Sequence, residues 1–359
     1  MKKISLILFT VLLMVSLMGC QEKTTMYVLN WGDYINEEVV EAFMEDNNIN
    51  VIVEEVDSNE AMYEKVRSGN TKYDVVVPSD YMIQRMAEEG LLNKLDRSRI
   101  VDYQEGMFEP AVYELMEESG IDEYAIPYFY GSIGIMYRNE YEDVVMEHGF
   151  GVLFDDSLLP SNARIGMYNS SRDSVAAALL HLGYDVNTTD SAKLSEAEAL
   201  LSNMDYAVWG DDNLKNEIVA GNLDVALVYS GDYFDILYIV MDEGRDVDFG
   251  YMTPMHTNIW VDAMVIPTLS ENTYQAHLFI NYFLNVDNAL ENVEYVGYTP
   301  VITDVYELMK EDEEWNDITE NAYFRDFYYQ EGFIGQMYKH VSLEHYQVLE
   351  EIMMRAKMD

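Results

Sequence analysis

The alternation of apolar runs with amphipathic runs constrains the fold of this chain more than any other feature. Residues 26–29, 50–56 and 73–77 have the apolar character of buried strands, and a helical pattern follows each of them. A second series of the same kind runs from residue 164 to residue 284. Repeated strand–helix–strand units favour an α/β fold with a mostly parallel sheet and helices on both faces. The other predicted strands are 164–168, 224–229 and 259–266, and the predicted helices are 36–46, 59–67, 81–89, 172–182, 191–203, 213–220, 231–241 and 273–284.

The two series are not separated by a flexible linker. A chain of 359 residues with 49% hydrophobic residues is long and apolar enough for about two domains, each with its own core. No long Gly/Ser-rich or Pro-rich stretch lies between them, so we expect two lobes joined by crossing strands. From about residue 303 onwards we predict helix, with the acidic run 311–314 on a solvated face.

The first twenty residues have the features of a secretory signal. Lys2 and Lys3 precede an apolar stretch, 4–17, that contains no acidic residue and is too short for a comfortable membrane span. The stretch ends in Leu17-Met18-Gly19-Cys20, which resembles the lipobox of bacterial lipoproteins. That resemblance implies a signal peptide at 1–19, a lipidated tether at 20–25, and anchoring through Cys20 at the outer face of a membrane.

The charge of the chain excludes several partners. The sequence has 66 acidic and 21 basic residues, a formal net charge of −45. Nucleic acids and anionic membrane surfaces need clustered basic residues, so we expect neither to bind the folded part. The six histidines show no metal-binding spacing and no phosphate-binding loop is present, so we expect no metal and no cofactor. Cations remain as partners, although most of the acidic residues are expected to lie on a solvated surface.

Acidic and aromatic residues recur directly after the predicted strands, where α/β sheets bind their ligands. Trp31-Gly32-Asp33-Tyr34 follows the first strand, and Ser79-Asp80-Tyr81 follows the third. Asp173 and Asp232 follow two strands of the second series. A lone Asp at such a position is commonly a helix N-cap. The recurrence at several strand ends is what favours a shared ligand site.

The pair Trp260 and Asp262 is the most specific signal. Strand alternation places both side chains on one face of the sheet. A carboxylate accepts charge-assisted hydrogen bonds from an ammonium group, and an aromatic face attracts the same cation. The pair therefore predicts a site for an organic cation.

Over nearly all of its mature length, the chain resembles the spermidine/putrescine-binding proteins of bacterial ABC importers. The order and spacing of several segments together carry this resemblance. They are Asn30-Trp31 with Tyr34, Ser58-Asn59-Glu60, 73–79, Ile126-Pro127-Tyr128, Leu182-Gly183-Tyr184, Trp260 with Asp262, and Gly297-Tyr298-Thr299-Pro300.

The resemblance implies a two-lobe periplasmic-binding-protein fold with the ligand cleft between lobes joined by crossing segments. Lobe 1 would comprise 26–132 and 261–300, and lobe 2 would comprise 133–260 and 301–359. It also implies a monomer at the extracytoplasmic face of the membrane or in the periplasm, supplying a permease and an ATPase formed by other chains. Hinge closure around the ligand is typical of such proteins.

Carried over residue by residue, the resemblance implies an aromatic wall of Trp31, Tyr34 and Tyr81, with Trp260 opposite and Asp262 holding an amino group. Asp33 and Asp232 match the putrescine-binding pattern, and Ser170 stands where spermidine binders have a carboxylate. The ligand is therefore expected to be putrescine, with spermidine still open. The full predicted set is Trp31, Asp33, Tyr34, Ser79, Tyr81, Asp173, Tyr229, Asp232, Trp260, Asp262, Tyr298 and Gln336.

Other classes of protein share parts of this pattern. A secreted glycoside hydrolase also has paired carboxylates in an aromatic cleft, and a sugar-binding lipoprotein would use the same rings. A metal-binding lipoprotein would use acidic or tyrosine ligands. Acids recur at more strand ends than a two-acid mechanism needs, and sugars would not require them. We therefore expect a binding protein and not an enzyme.

Overall fold

A computed structural model describes residues 23–358 of the chain. The predicted signal peptide and the predicted lipidation site Cys20 lie outside these residues. Within 23–358, no helix combines the length and the apolar character needed to cross a membrane.

The first series of elements follows the predicted alternation closely. Side-chain oxygens of Asn36 and Ser58 accept backbone N–H groups at the starts of the first two helices, which fixes where each begins. The elements are β1 (Thr24–Trp31), α1 (Glu37–Asn47), β2 (Ile49–Val56), α2 (Asn59–Ser68), β3 (Val75–Val76), α3 (Asp80–Glu88) and α4 (Pro110–Ser119). β1 pairs in parallel with both β2 and β3.

A long strand leads into the second series. Its elements are β4 (Ala125–Arg138), α5 (Glu142–His148), β5 (Ile165–Tyr168), α6 (Ser171–His181), α7 (Ser191–Ser202), β6 (Val208–Gly210), α8 (Leu214–Val219), β7 (Val225–Tyr229), α9 (Ser230–Asp242) and β8 (Phe249–Met252). β5 pairs in parallel with β6 and β7. β5 and β7 correspond to the predicted strands 164–168 and 224–229, whereas β6 was not predicted and the third predicted strand of the series, 259–266, lies outside this parallel group.

The remaining elements are β9 (His256–Val265), α10 (Thr273–Leu284), α11 (Val286–Val296), β10 (Thr299–Pro300), α12 (Thr303–Glu311), α13 (Asn316–Thr319), β11 (Ile334–Gln336) and α14 (Leu343–Ala356). The prediction of helix from about residue 303 onwards is wrong for most of residues 320–342, which form turns, a short 3₁₀ helix at Asp326–Tyr329 and the short strand β11. β11 pairs in parallel with the start of β9. The acidic run 311–314 is exposed, as predicted.

Two long antiparallel strands connect the parallel groups. The first half of β4, 125–132, pairs with β9, and its second half, 133–138, pairs with β7 and β8. The strand order is therefore β2-β1-β3-β9-β4-β7-β5-β6. The centre of the sheet is antiparallel, whereas the sequence predicts a mostly parallel sheet. We did not predict β4 as a strand because Pro127, Gly131 and Gly134 interrupt its apolar pattern.

Candidate ligand-binding site

Trp260 lies in β9 at the centre of the sheet, directly opposite Gly131 of β4. A Cβ atom at position 131 would lie 2.6 Å from the indole ring. Gly131 therefore makes the space in which Trp260 packs. The sequence contains Gly131 without any signal that would single it out.

The structure brings four predicted aromatic residues into one chain of rings. Ring centroids are 5.9 Å apart for Tyr229 and Trp260, 5.4 Å for Trp260 and Tyr298, and 5.4 Å for Tyr298 and Tyr34. All three contacts are edge-to-face, the arrangement that aromatic quadrupoles favour. Gly231 makes room for Tyr298, since a Cβ there would lie 2.1 Å from the ring. Residues from four separate parts of the chain thus form one apolar surface.

Asp262 lies beside this surface and is 7% exposed. Burial raises the pKa of its carboxyl to about 6, although Ser79 and Tyr34 act in the opposite direction. Burial and the charge of Asp262 together raise the pKa of Tyr34 well above its usual value. The Tyr34 and Ser79 hydroxyls lie close enough to Asp262 to lower its pKa, but among the described residues neither the Tyr34 hydroxyl nor Oδ1 of Asp262 makes a hydrogen bond of normal length and angle. Asp262 is therefore a buried acceptor with spare capacity.

Asp80 is a second buried carboxyl near Asp262; it is one of the strand-end acids of the sequence pattern but was not included in the predicted site set. Ser79 occupies the N-cap position of α3, and Asp80 is its first helical residue. The Asp80 carboxyl accepts the backbone N–H of Tyr81 at 2.5 Å and that of Val261 at 3.2 Å. Burial raises its pKa to about 8. Asp80 thereby fixes α3 against β9, next to the predicted site.

Asp173 lies in the first turn of α6, and its carboxyl accepts hydrogen bonds from two tyrosines. The hydroxyl of Tyr229 and that of Tyr338 each lie 2.8 Å from it. The N-cap of α6 is Ser170, so Asp173 is not the cap. Tyr338 was not predicted, because nothing in the sequence around it links it to a strand end.

Asp232 lies in the first turn of α9 and is already paired with a cation. Lys215 of α8 places its Nζ 3.3 Å from Asp232 and 2.7 Å from Asp235. Oδ2 of Asp232 has no hydrogen-bond partner among the described residues. Burial and the neighbouring Asp212 raise the pKa of Asp232 to about 8, while Lys215 lowers it. Lys215 was not predicted.

The remaining predicted residues lie in other surroundings. The guanidinium of Arg172 stacks 3.9 Å over Tyr81, and Tyr338 contacts the same ring. Trp31 is partly buried and has no ring–ring contact among residues 23–358. Trp31, Tyr34 and Tyr81 therefore do not contact one another directly, and their role as one wall of the site stays a prediction.

Asp33 and Gln336 are placed apart from the ring chain. Asp33 is exposed, with a left-handed φ of 51°, and its charge contributes to the raised pKa of Tyr295, after burial. The Gln336 amide oxygen accepts the backbone N–H of Val186 at 2.8 Å, and its nitrogen lies 2.6 Å from His256. Both sides of its amide group are thus occupied by protein.

Unsatisfied polar atoms concentrate in the predicted set. Among residues 23–358, eight buried side-chain atoms have no hydrogen-bond partner, and five belong to predicted site residues. Each such atom costs about 1–3 kcal/mol when buried, so the concentration is typical of a site for a polar ligand. The five are in Trp31, Tyr34, Asp232, Trp260 and Asp262. No group of three or more His, Cys, Asp or Glu within 23–358 could hold a metal ion.

Residues 38–322 match a family described as bacterial extracellular solute-binding protein. This chain belongs to that family. It is 28% identical over 283 residues to the spermidine/putrescine-binding periplasmic protein of Escherichia coli, covering 77% of both chains. It is 27% identical over 287 residues to the putrescine-binding periplasmic protein SpuD of Pseudomonas aeruginosa, covering 77% of this chain and 78% of that protein.

A solved structure supports the predicted architecture. The spermidine/putrescine ABC transporter substrate-binding protein of Streptococcus pneumoniae superposes with a TM-score of 0.74 and 28% identity. The match covers 94% of this chain and 99% of that one. The predicted α/β two-lobe periplasmic-binding-protein fold is therefore confirmed. Strands β4 and β9 connect the two parallel groups of this sheet.

Proposed function

We propose that this protein captures a polyamine outside the cytoplasm and delivers it to an ABC importer. The observation that carries the proposal is Asp262, a buried carboxylate with an unpartnered oxygen beside the ring chain of Tyr229, Trp260, Tyr298 and Tyr34. A polyamine carries ammonium groups on an apolar methylene chain. The carboxylate can accept hydrogen bonds from an ammonium group, and the rings can pack against the methylene chain.

The similar proteins with known names support the same ligand class. The relatives from Escherichia coli and Pseudomonas aeruginosa are both named for polyamines. The sequence features Asp33, Ser170 and Asp232 favour putrescine over spermidine within that class. The sugar-binding, metal-binding and glycoside hydrolase alternatives gain no support from these relatives.

A thermal-shift panel tests the proposal directly. The panel contains putrescine, spermidine, spermine, a maltooligosaccharide and Fe³⁺ at equal concentrations. A ligand present at 100 times its Kd stabilises the native state by about 2.7 kcal/mol, so Tm should rise by several degrees with putrescine or spermidine. A rise with the sugar or with iron, and none with any polyamine, would refute the proposal.

The cellular arrangement is also a proposal. We infer that Cys20 is lipidated, that the protein acts as a monomer, and that a separate permease and ATPase receive the ligand. The assignment of 26–132 with 261–300 to lobe 1, and of 133–260 with 301–359 to lobe 2, belongs to the same proposal. Cys20→Ser should release the protein from the membrane fraction and abolish incorporation of labelled palmitate. Unchanged labelling in that variant would refute the anchor.

A further inference from the structure

Lys215 holds an ammonium group inside the region that the sequence assigns to the ligand. Its side chain is 16% exposed, and its Nζ contacts both Asp232 and Asp235. Asp232 is 2% exposed and therefore depends on a counter-charge within the protein. A lysine side chain is four methylenes ending in an ammonium, so it matches putrescine except for the second ammonium group.

The Lys215 ammonium lies at one end of the ring chain. Asp232 follows Gly231, and Gly231 lies against the ring of Tyr298. Tyr298 in turn contacts Trp260 and Tyr34, which lead to Asp262. Asp232, Asp212 and Asp262 all contribute to the raised pKa of Tyr298, after burial, so this ring lies near both Asp232 and Asp262. The ring chain thus connects Asp262 with Asp232, whose Oδ1 contacts Lys215 and whose Oδ2 has no hydrogen-bond partner among the described residues.

The charges at the Asp232 end define what it can accept. Asp212, Asp232 and Asp235 lie together there, and the Tyr168 hydroxyl donates to Asp212. An ammonium from a ligand that reached this end would meet Lys215 at the same carboxylates. Like charges in a desolvated site repel strongly, so a ligand would have to displace Lys215 or stop short of it.

We propose that Lys215 is a resident ammonium that occupies the Asp232 end of the cleft and limits the length of the amine that binds. This inference rests on the proposed polyamine function. It assigns Asp232 to Lys215 in the wild type, so that Asp262 is the principal carboxylate for a short diamine. A longer triamine has an additional ammonium, which would meet the Lys215 ammonium at the Asp232 end.

Replacing the resident ammonium tests the inference. Lys215→Met keeps an unbranched side chain of similar length and removes its charge. We expect calorimetry to show spermidine binding at least 10-fold more tightly than in the wild type, with putrescine affinity changed less than 3-fold. Lys215→Arg keeps the charge, and Lys310→Met removes an exposed lysine that is 47% accessible. Both should retain the wild-type ratio of the two affinities.

A double variant tests whether Asp232 is the carboxylate that binds the additional ammonium of spermidine in Lys215→Met. Lys215→Met with Asp232→Asn should lose the gain for spermidine, because the freed carboxylate is then absent. A spermidine-to-putrescine ratio within 3-fold of the wild type in Lys215→Met, or a gain that persists in the double variant, would overturn the inference.

Absence of polyamine binding by the wild type would instead refute the proposed function, so the two failures are distinguishable.

Discussion

At the scale of single residues, the site depends on a carboxylate that the fold buries without a full set of partners. Asp262 sits in a strand between two others, where water is excluded and its pKa rises to about 6. An arriving ammonium supplies the missing hydrogen bond and the missing charge in one contact. Burial of Asp262 therefore costs free energy in the ligand-free protein, and its contact with the ammonium stabilises the complex.

We expect Asp262→Asn to weaken putrescine and spermidine binding by 10-fold or more, about 1.4 kcal/mol. The amide has nearly the same shape but no charge, so the change isolates the electrostatic contribution. Isothermal titration calorimetry measures it. Asp205→Asn, a substitution at an exposed aspartate, serves as the matched control and should bind as the wild type does. Equal affinities in both variants would place the amine elsewhere.

Trp260→Ala should also weaken polyamine binding by 10-fold or more, because it removes the middle of the ring chain. Aromatic contact with a desolvated cation contributes up to about 2 kcal/mol. Trp260→Phe keeps an aromatic face and should lose less than Trp260→Ala. If the two variants bind alike, the indole ring does not act through its aromatic face.

At the scale of elements, glycines in β4 and at the start of α9 decide how the aromatic residues pack. Gly131 lies opposite Trp260, and Gly231 lies against Tyr298. Neither position needs glycine for its backbone angles. Each needs it because a neighbouring ring occupies the space where a Cβ would be.

We expect Gly231→Ala to displace the Tyr298 ring, since the new methyl would lie 2.1 Å from it. Overpacking of this kind costs about 1–3 kcal/mol of stability. Polyamine affinity should fall at least 10-fold as the ring chain is interrupted. Denaturant unfolding measures the change in stability, and calorimetry measures the change in polyamine affinity. Gly32→Ala is the control, because its nearest neighbour would be the end of the Glu55 side chain at 3.7 Å; a similar loss in that variant would contradict the packing argument.

At the scale of the whole molecule, several buried carboxyls couple ligand binding to protons. Their pKa values, about 6 for Asp262 and about 8 for Asp80 and Asp232, lie above the unfolded value near 4. The folded state therefore holds these protons more tightly than the unfolded state. Their contribution to stability is present below pH 4 and is lost as the pH rises from 4 to 8.

Binding should show the opposite dependence on pH. An ammonium needs an ionised Asp262, so we expect polyamine affinity to rise as the pH increases from 5 to 7 and protons to be released on binding at pH 6. Calorimetry in two buffers with different ionisation enthalpies measures the release. Asp262→Asn should release fewer protons. Proton uptake by the wild type would contradict the assignment.

The two-lobe architecture predicts closure around the ligand. β4 and β9 connect the two parallel groups of strands, and contacts such as that of Arg172 in α6 with Tyr81 in α3 span elements of the two groups. We expect saturating putrescine to reduce the radius of gyration measured by small-angle scattering, because closure brings the lobes together. Asp262→Asn at the same concentration should shrink less. An unchanged radius in the wild type would indicate a site that binds without closure.

The alternating strands and helices could be predicted from the sequence, because their apolar periodicity depends only on residues that are close together in the chain. The sequence also determined the acids and rings at strand ends, including Trp260 with Asp262 on one strand face. Whether those residues meet depends on contacts between distant segments, which local patterns do not encode. Only the tertiary structure placed Tyr34, Tyr229, Trp260 and Tyr298 in one chain of rings and left Asp33 on the surface.

The pKa and the hydrogen-bond partners of each carboxyl also depend on the tertiary structure. Burial and neighbouring charge set the pKa of a group, and both come from elements far apart in sequence. Lys215 and Asp232 are 17 residues apart and meet because α8 packs beside α9. The antiparallel centre of the sheet could not be predicted either. The glycines interrupt the apolar pattern of β4, and they are required by aromatic rings that come from other segments of the chain.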